Sequence, residues 1–232
     1  MKKLIVSICL MLAIGLFASQ LYAQQGQFKG IVKYTLTWEG DVPQGVPTTF
    51  EVKVFEQQSA FNDMFAGCKV LTNANNGISY ALFDFSQVPL EGATGKWYIK
   101  DKLEPEDAEK VKYEVTSETK EIAGKKVKKV NVTFKEEDGT EKKEEIWMCD
   151  EIGPKQDLRF YPGLPGMAFE FPVDLDKYKI VFKVIEIIEG GKVEKADMLL
   201  PTGYEEVTME EFQEIISIIV KEYGGGQESD DI

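Results

Sequence analysis

The groups best supplied for chemistry in this 232-residue chain are carboxylates, 40 Asp and Glu against 27 Lys and Arg. They recur as adjacent pairs: Glu136-Glu137, Glu144-Glu145 and Glu205-Glu206. A glycosidase needs two such groups across the bond it breaks, one of them kept protonated by burial. These pairs fall instead in a turn, on wet strand faces and before a helix, where water keeps both members ionised. Asp174-Leu175-Asp176 has the ligand spacing of a calcium loop but lacks the glycine and distal glutamate that complete one. Gly163-Leu164-Pro165-Gly166 places proline where a phosphate cradle needs amide donors. The chain has no histidine. That removes Ser-His-Asp and Cys-His nucleophiles, most zinc sites and the usual switch near neutral pH. The expectation is a non-enzymatic protein without cofactor or metal, with a carboxylate-dependent hydrolase as the minor alternative.

The first residues read as an export signal. Lys2 and Lys3 precede an apolar run from Leu4 to Phe17, and Leu21-Tyr22-Ala23 ends in a small residue suited to signal peptidase. The run is short for a membrane span of roughly 20 residues, so cleavage after Ala23 is expected. Residues 1–23 are then a signal peptide, 24–223 a single β-rich domain and 224–232 a disordered acidic tail. Losing Lys2 and Lys3 leaves 25 basic residues against 40 acidic ones, a charge of −15. So acidic a chain does not suit nucleic acid, whose binding rests on neutralising phosphates. No later segment has the length of a transmembrane helix. The periplasm is the expected destination, an extracellular or outer-membrane-associated position the alternative. Cys68 and Cys149 survive maturation, and an oxidising compartment would let them pair as a disulfide or leave them as two separate buried thiols.

The elements that must position any site follow a period of two. Phe28, Val32, Tyr34, Leu36 and Trp38 alternate with polar residues, as do Phe50, Val52 and Val54. Val130, Val132 and Phe134 lead through a turn around Asp138-Gly139 to a return strand at Glu144–Cys149. A second hairpin is expected to pair Tyr178–Val184 with Val193–Leu200 around Gly190-Gly191, and Asn75-Asn76-Gly77 marks a third tight turn. One helix stands out. Thr208 and Glu211 have capping-box spacing, and Phe212, Ile215, Ile216, Ile219 and Tyr223 share a face that must pack on the sheet. The expected fold is mainly β, or α+β: a single bent antiparallel sheet, half-barrel-like, with a C-terminal amphipathic helix on its apolar face.

Two features stay open at this level. Lys120, Lys125, Lys126, Lys128 and Lys129 form a basic island. They fit an edge strand protected from edge-to-edge pairing or a contact with an anionic surface such as lipid phosphates. The stretch Arg159–Val173 is rich in proline, glycine and aromatic residues, and Pro162, Pro165 and Pro172 argue against a central strand there. Phe160, Tyr161, Leu164, Met167, Phe169 and Phe171 would plug one end of the core or form the lip of a ligand site.

Thr119-Lys120-Glu121-Ile122-Ala123-Gly124, the basic strand after it, Ile146-Trp147-Met148, Ile152-Gly153-Pro154 and Gly163–Ala168 together resemble the GLPGLI family of secreted bacterial domains of mostly unknown role. The sequence departs from that pattern at Lys125, Val127 and Met167-Ala168. The order of strands and helix also looks like the open half-barrel of LolA-like lipoprotein carriers, an analogy of fold alone. The functional expectation is binding of an apolar or amphipathic, lipid-like ligand in the cell envelope. The alternative is an envelope module that binds another protein.

Overall fold

The computed structural model describes residues 28–40, 45–63, 67–104, 109–135, 139–153, 161–175 and 177–223. Outside them lie the expected signal peptide, the acidic tail, Glu136–Asp138 of the hairpin turn, Pro154, Phe160 and Asp176.

Twelve strands form one sheet. β1 (Lys29–Gly40), β2 (Thr49–Phe55), β3 (Gln58–Asp63), β4 (Cys68–Asn73), β5 (Ile78–Asp84) and β6 (Lys96–Lys102) make one meander. β7 (Val111–Ile122), β8 (Lys125–Lys135), β9 (Glu141–Cys149), β10 (Met167–Leu175) and β11 (Tyr178–Glu189) make a second. The meanders join where β11 pairs antiparallel with β1, giving the order β12-β6-β5-β4-β3-β2-β1-β11-β10-β9-β8-β7. β12 (Glu205–Glu206) runs parallel to β6, and α1 (Met209–Tyr223) follows it.

This connectivity forces the sheet to curl. The chain passes from Lys102, at the end of β6, to Val111, at the start of β7, across ten strand intervals. Laid flat at about 4.8 Å per interval, that distance is roughly 48 Å. Nine residue steps reach only about 32 Å even when fully extended. The two ends of the sheet must therefore approach each other, producing an open half-barrel with an inner and an outer face.

Alternation fills the inner face. Val32, Tyr34 and Leu36 of β1 meet Val52 and Val54 of β2, Val130 and Val132 of β8, Ile146 and Met148 of β9, and Ile180, Phe182 and Val184 of β11, all buried. A row of rings crosses five strands: Phe171 stacks on Phe182 at 4.8 Å, and Tyr34, Phe50 and Phe61 continue it. On the outer face Ala60, Leu71 and Leu82 form a smaller cluster. There the structure corrects the expected second hairpin. Val193–Leu200 does not pair with the Tyr178 strand, whose neighbours are β1 and β10. It forms a 3-10 turn at Lys195–Met198 that lays Val193 and Met198 over the outer cluster. Alternation in β11 identifies a strand but not its partner, and β1 supplies the longer apolar match.

Candidate functional site

The described part of the proline-rich stretch packs into the core, as the plug reading expects. Tyr161, Leu164, Met167, Phe169 and Phe171 are all buried, each at most 2% exposed, and belong to the main core; Phe160 lies outside the described residues. Gly163 takes a positive φ of 81° in the turn. Gly166 sits so close to the Cys149 carbonyl that a Cβ would collide with it. The Tyr113 hydroxyl of β7 donates to the Pro162 carbonyl at 2.9 Å, tying the loop to the edge of the sheet.

Pro172 overturns the expectation that this stretch holds no central strand, because it lies within β10, between β9 and β11. Pairing of β10 with β9 stops at Glu170 opposite Trp147, whereas pairing with β11 continues through Pro172 to Leu175. The Tyr161 hydroxyl donates to the Pro172 carbonyl at 3.1 Å or to Glu144 Oε2 at the same distance. In a strand the amide and carbonyl of one residue point to the same side. Proline's missing N–H therefore falls where the ladder has already parted. The gap left between β9 and β10 is a small cavity of about 200 Å³ lined by Phe134, Lys142, Glu144, Tyr161, Pro172, Val173 and Asp174. Burial and the adjacent Glu144 carboxylate push the Tyr161 phenol well above its ordinary range. Lys142 bridges Glu144 at 2.8 Å and Asp174 at 3.2 Å, and the hydrogen bond to Glu144 raises its pKa. Two carboxylates do face one gap here, but the Lys142 ammonium sits between them and pairs with both.

The basic island is matched by acid. Lys120 pairs with Glu170 at 2.9 Å and lies over the Trp147 ring at 4.1 Å; Lys125 pairs with Glu189 at 2.8 Å. Lys128 pairs with Asp150 at 2.6 Å and Lys129 with Glu145 at 2.9 Å, while Lys126 is exposed. β8, which carries four of the five lysines, is flanked by β7 and β9. The edge-protection reading therefore fails for it; Lys120 does lie on the edge strand β7, but its ammonium is drawn over the sheet face to Trp147 and Glu170. Cys68 and Cys149 are buried thiols not joined by a disulfide, on β4 and β9 with five strands between them in sheet order. Desolvation raises the Cys149 pKa.

The larger opening lies at the other end of the sheet, under the start of α1. Its cavity is about 610 Å³. The floor is the inner face of β4–β6, formed by Cys68, Val70, Ala81, Phe83 and Ile99; the roof is Val207, Thr208, Met209 and Phe212. Register aligns Val70, Ala81 and Ile99 across three strands, which places their side chains on one face. Phe212 anchors the roof by packing on Phe83 with ring centroids 4.1 Å apart.

The capping box read from the sequence is present. The Glu211 amide donates to Thr208 Oγ1 at 3.1 Å, and the Thr208 amide donates to Glu211 Oε2 at 2.8 Å. The apolar stripe is buried less than expected. Among the described side chains of the stripe only Ile215 is buried, while Phe212, Ile216 and Ile219 are half-buried; the Tyr223 side chain lies outside the described ones. The rim carries Ser79, Lys100, Asp101, Glu206 and Glu211. Tyr98 donates to Glu206 Oε2 at 2.8 Å and fixes that carboxylate, and the same bond raises the tyrosine pKa. Among these residues sequence reasoning singled out the helix and its cap, Glu206 as one of a carboxylate pair and Cys68 as a candidate disulfide partner, but not their meeting at one cavity. The cavity arises from where the helix lands, which no local pattern encodes.

No protein-family model and no curated protein matches the sequence. Among solved structures, PNGF-II superimposes with a TM-score of 0.53 at 13% identity, over 82% of this chain and 33% of PNGF-II. A second crystal form of PNGF-II gives 0.53 at 12% identity. The chain thus spans about a third of PNGF-II, and the likeness is one of fold. MucB superimposes with a TM-score of 0.35 at 12% identity, over 81% of this chain and 64% of MucB, too distant to carry an argument.

Proposed function

We propose that the protein is an exported cell-envelope protein that binds an apolar or amphipathic, lipid-like ligand and catalyses no reaction. The observation that carries this reading is the cavity of about 610 Å³ between the inner face of β4–β6 and α1. Its size falls within the range of about 300–1,000 Å³ usual for small-molecule sites, and its floor is apolar with polar groups confined to the rim. The secretory pattern of the first 23 residues supports export, with the periplasm as the proposed compartment. No helix among the described residues is long and apolar enough to cross a membrane. The GLPGLI-like motif is consistent with such a role: its turn, tryptophan strand and Gly-Leu-Pro-Gly segment build the plugged end that leaves the opposite end free. Against a hydrolase, the facing carboxylates Glu144 and Asp174 are both held by Lys142.

The test is to block the cavity without touching the plug. Ala81→Trp places an indole on the cavity floor. Mass spectrometry of the native protein should find a co-purifying lipid-like molecule that the variant lacks. A native protein that carries nothing and binds no acyl probe sinks the reading. An envelope interaction module is the second reading. It is favoured by exposed Met209, Ile218 and Val220 on the helix, and would appear as a partner captured equally by the native protein and Ala81→Trp.

A further inference from the structure

We propose that the cavity under α1 selects amphiphiles with a cationic polar group over those with an anionic one. This deepens the binding reading above and rests on it. The rim carries two carboxylates, Asp101, paired with Ser79 on the floor face, and Glu211 of the helix cap, whereas Lys100 and the Tyr98-bound carboxylate of Glu206 belong to the outer face. One of them is held in place: Glu211 accepts from the Thr208 amide.

The second argument concerns the helix start. An open N-terminus offers amide donors and a positive dipole to anions. Here the Thr208 hydroxyl takes the Glu211 amide and the Glu211 carboxylate takes the Thr208 amide. Glu210 adds another negative charge in the first turn. The protein's own Glu211 carboxylate therefore already stands at the helix start, where a phosphate or carboxylate head would bind. An anionic head entering beside Phe212 meets fixed negative charge. A cationic head gains it, and the acyl chain lies on Val70, Ala81 and Phe83 in either case.

The experiment uses three probes with one chain length: decyltrimethylammonium, decyl maltoside and decyl sulfate, titrated calorimetrically below their micellar concentrations at low and moderate salt. The cationic probe should bind about tenfold tighter than the anionic one at low salt, with the neutral probe between them and the spread narrowing as salt screens the rim. Asp101→Asn combined with Glu211→Gln should bring the affinities of the two charged probes together. Glutamine at 211 preserves the capping geometry. Saturable binding of the cationic probe must vanish in Ala81→Trp; persistence there means attraction to the acidic surface as a whole and overturns the proposal. Decyl sulfate binding as tightly as decyltrimethylammonium overturns the charge selection and leaves the binding reading standing. Failure of all three probes overturns both.

Discussion

On the β7–β11 side of the half-barrel, a contiguous loop folds back into the curl. Tyr161, Leu164, Met167 and Phe169 reach zero or near-zero exposure there, and tyrosine hydroxyls tie the loop down at the Pro162 and Pro172 carbonyls. On the β4–β6 side the cover is an amphipathic helix that buries one isoleucine, leans one phenylalanine on the sheet and leaves about 610 Å³ beneath its first turn. The same alternating strands floor both ends. The difference lies in what caps them: side chains locked by tertiary hydrogen bonds at one end, an amphipathic helix with few buried side chains at the other. Elements with few buried apolar contacts open at lower free energy than the core. The helix end is therefore expected to open first, and under the proposed binding function it is where a ligand would enter.

The strongest way to break this comparison is to polarise the plug. Leu164→Ser with Met167→Ser removes two fully buried side chains and leaves hydroxyls in their place. Each large-to-small change in such a site costs about 2–5 kcal/mol, and buried hydroxyls without partners add to it. The double variant should therefore be unfolded, or nearly so, by circular dichroism and urea titration. A folded variant that has lost only ligand would make the plug a lip and invert the assignment of the two ends. Tyr161→Phe is gentler. It deletes the hydroxyl that serves the Pro172 carbonyl and Glu144 where β9 and β10 part, at a cost of about 1–3 kcal/mol.

The same residue carries a pH signature. Its folded-state pKa is raised, whereas in the unfolded chain the phenol ionises near its ordinary value of about 10. Its contribution is thus complete below pH 10 and is lost as pH rises beyond it. The stability gap between native protein and Tyr161→Phe, measured by urea unfolding at pH 8 and pH 11, should narrow at the higher pH. A constant gap would mean the hydroxyl is not buried.

Much of this was readable from residue order, for local reasons. Period-two alternation marks β1, β2, β8 and β11 because one face of each is core and the other meets water. Thr208 and Glu211 mark the helix start because both partners of the cap lie within one turn. What stayed hidden depends on distant partners. Pro172 argues against a central strand until Tyr161 and the parting of β9 from β10 are known. Val193–Leu200 resembles a return strand, yet is drawn over Ala60, Leu71 and Leu82 on the outer face. The lysine island looks basic in sequence, but its carboxylates arrive from β9, β10, β11 and the loop after β9. The cavity, which is the candidate site, is the least legible feature. Its floor is ordinary core alternation, and only the height at which α1 settles makes it a void.

That height is set largely by one contact, which makes Phe212→Ala the finest test of the two-ended design. Phe212 packs on Phe83 at 4.1 Å and lies 6.4 Å from Phe85, yet is only half-buried. Full burial of an aromatic is worth about 3–5 kcal/mol on truncation, so a half-exposed one should cost on the order of 1–2 kcal/mol. Where that loss falls matters more than its size. If α1 is a separately opening cover, amide exchange should accelerate across the helix while β1 and β11, whose amides report global unfolding, show only a small change. Acyl-probe affinity should fall as well, because the roof loses its anchor. Equal acceleration in α1 and β1 would mean the helix unfolds only with the core. The open end would then be as fixed as the plugged one, and ligand would need another way in.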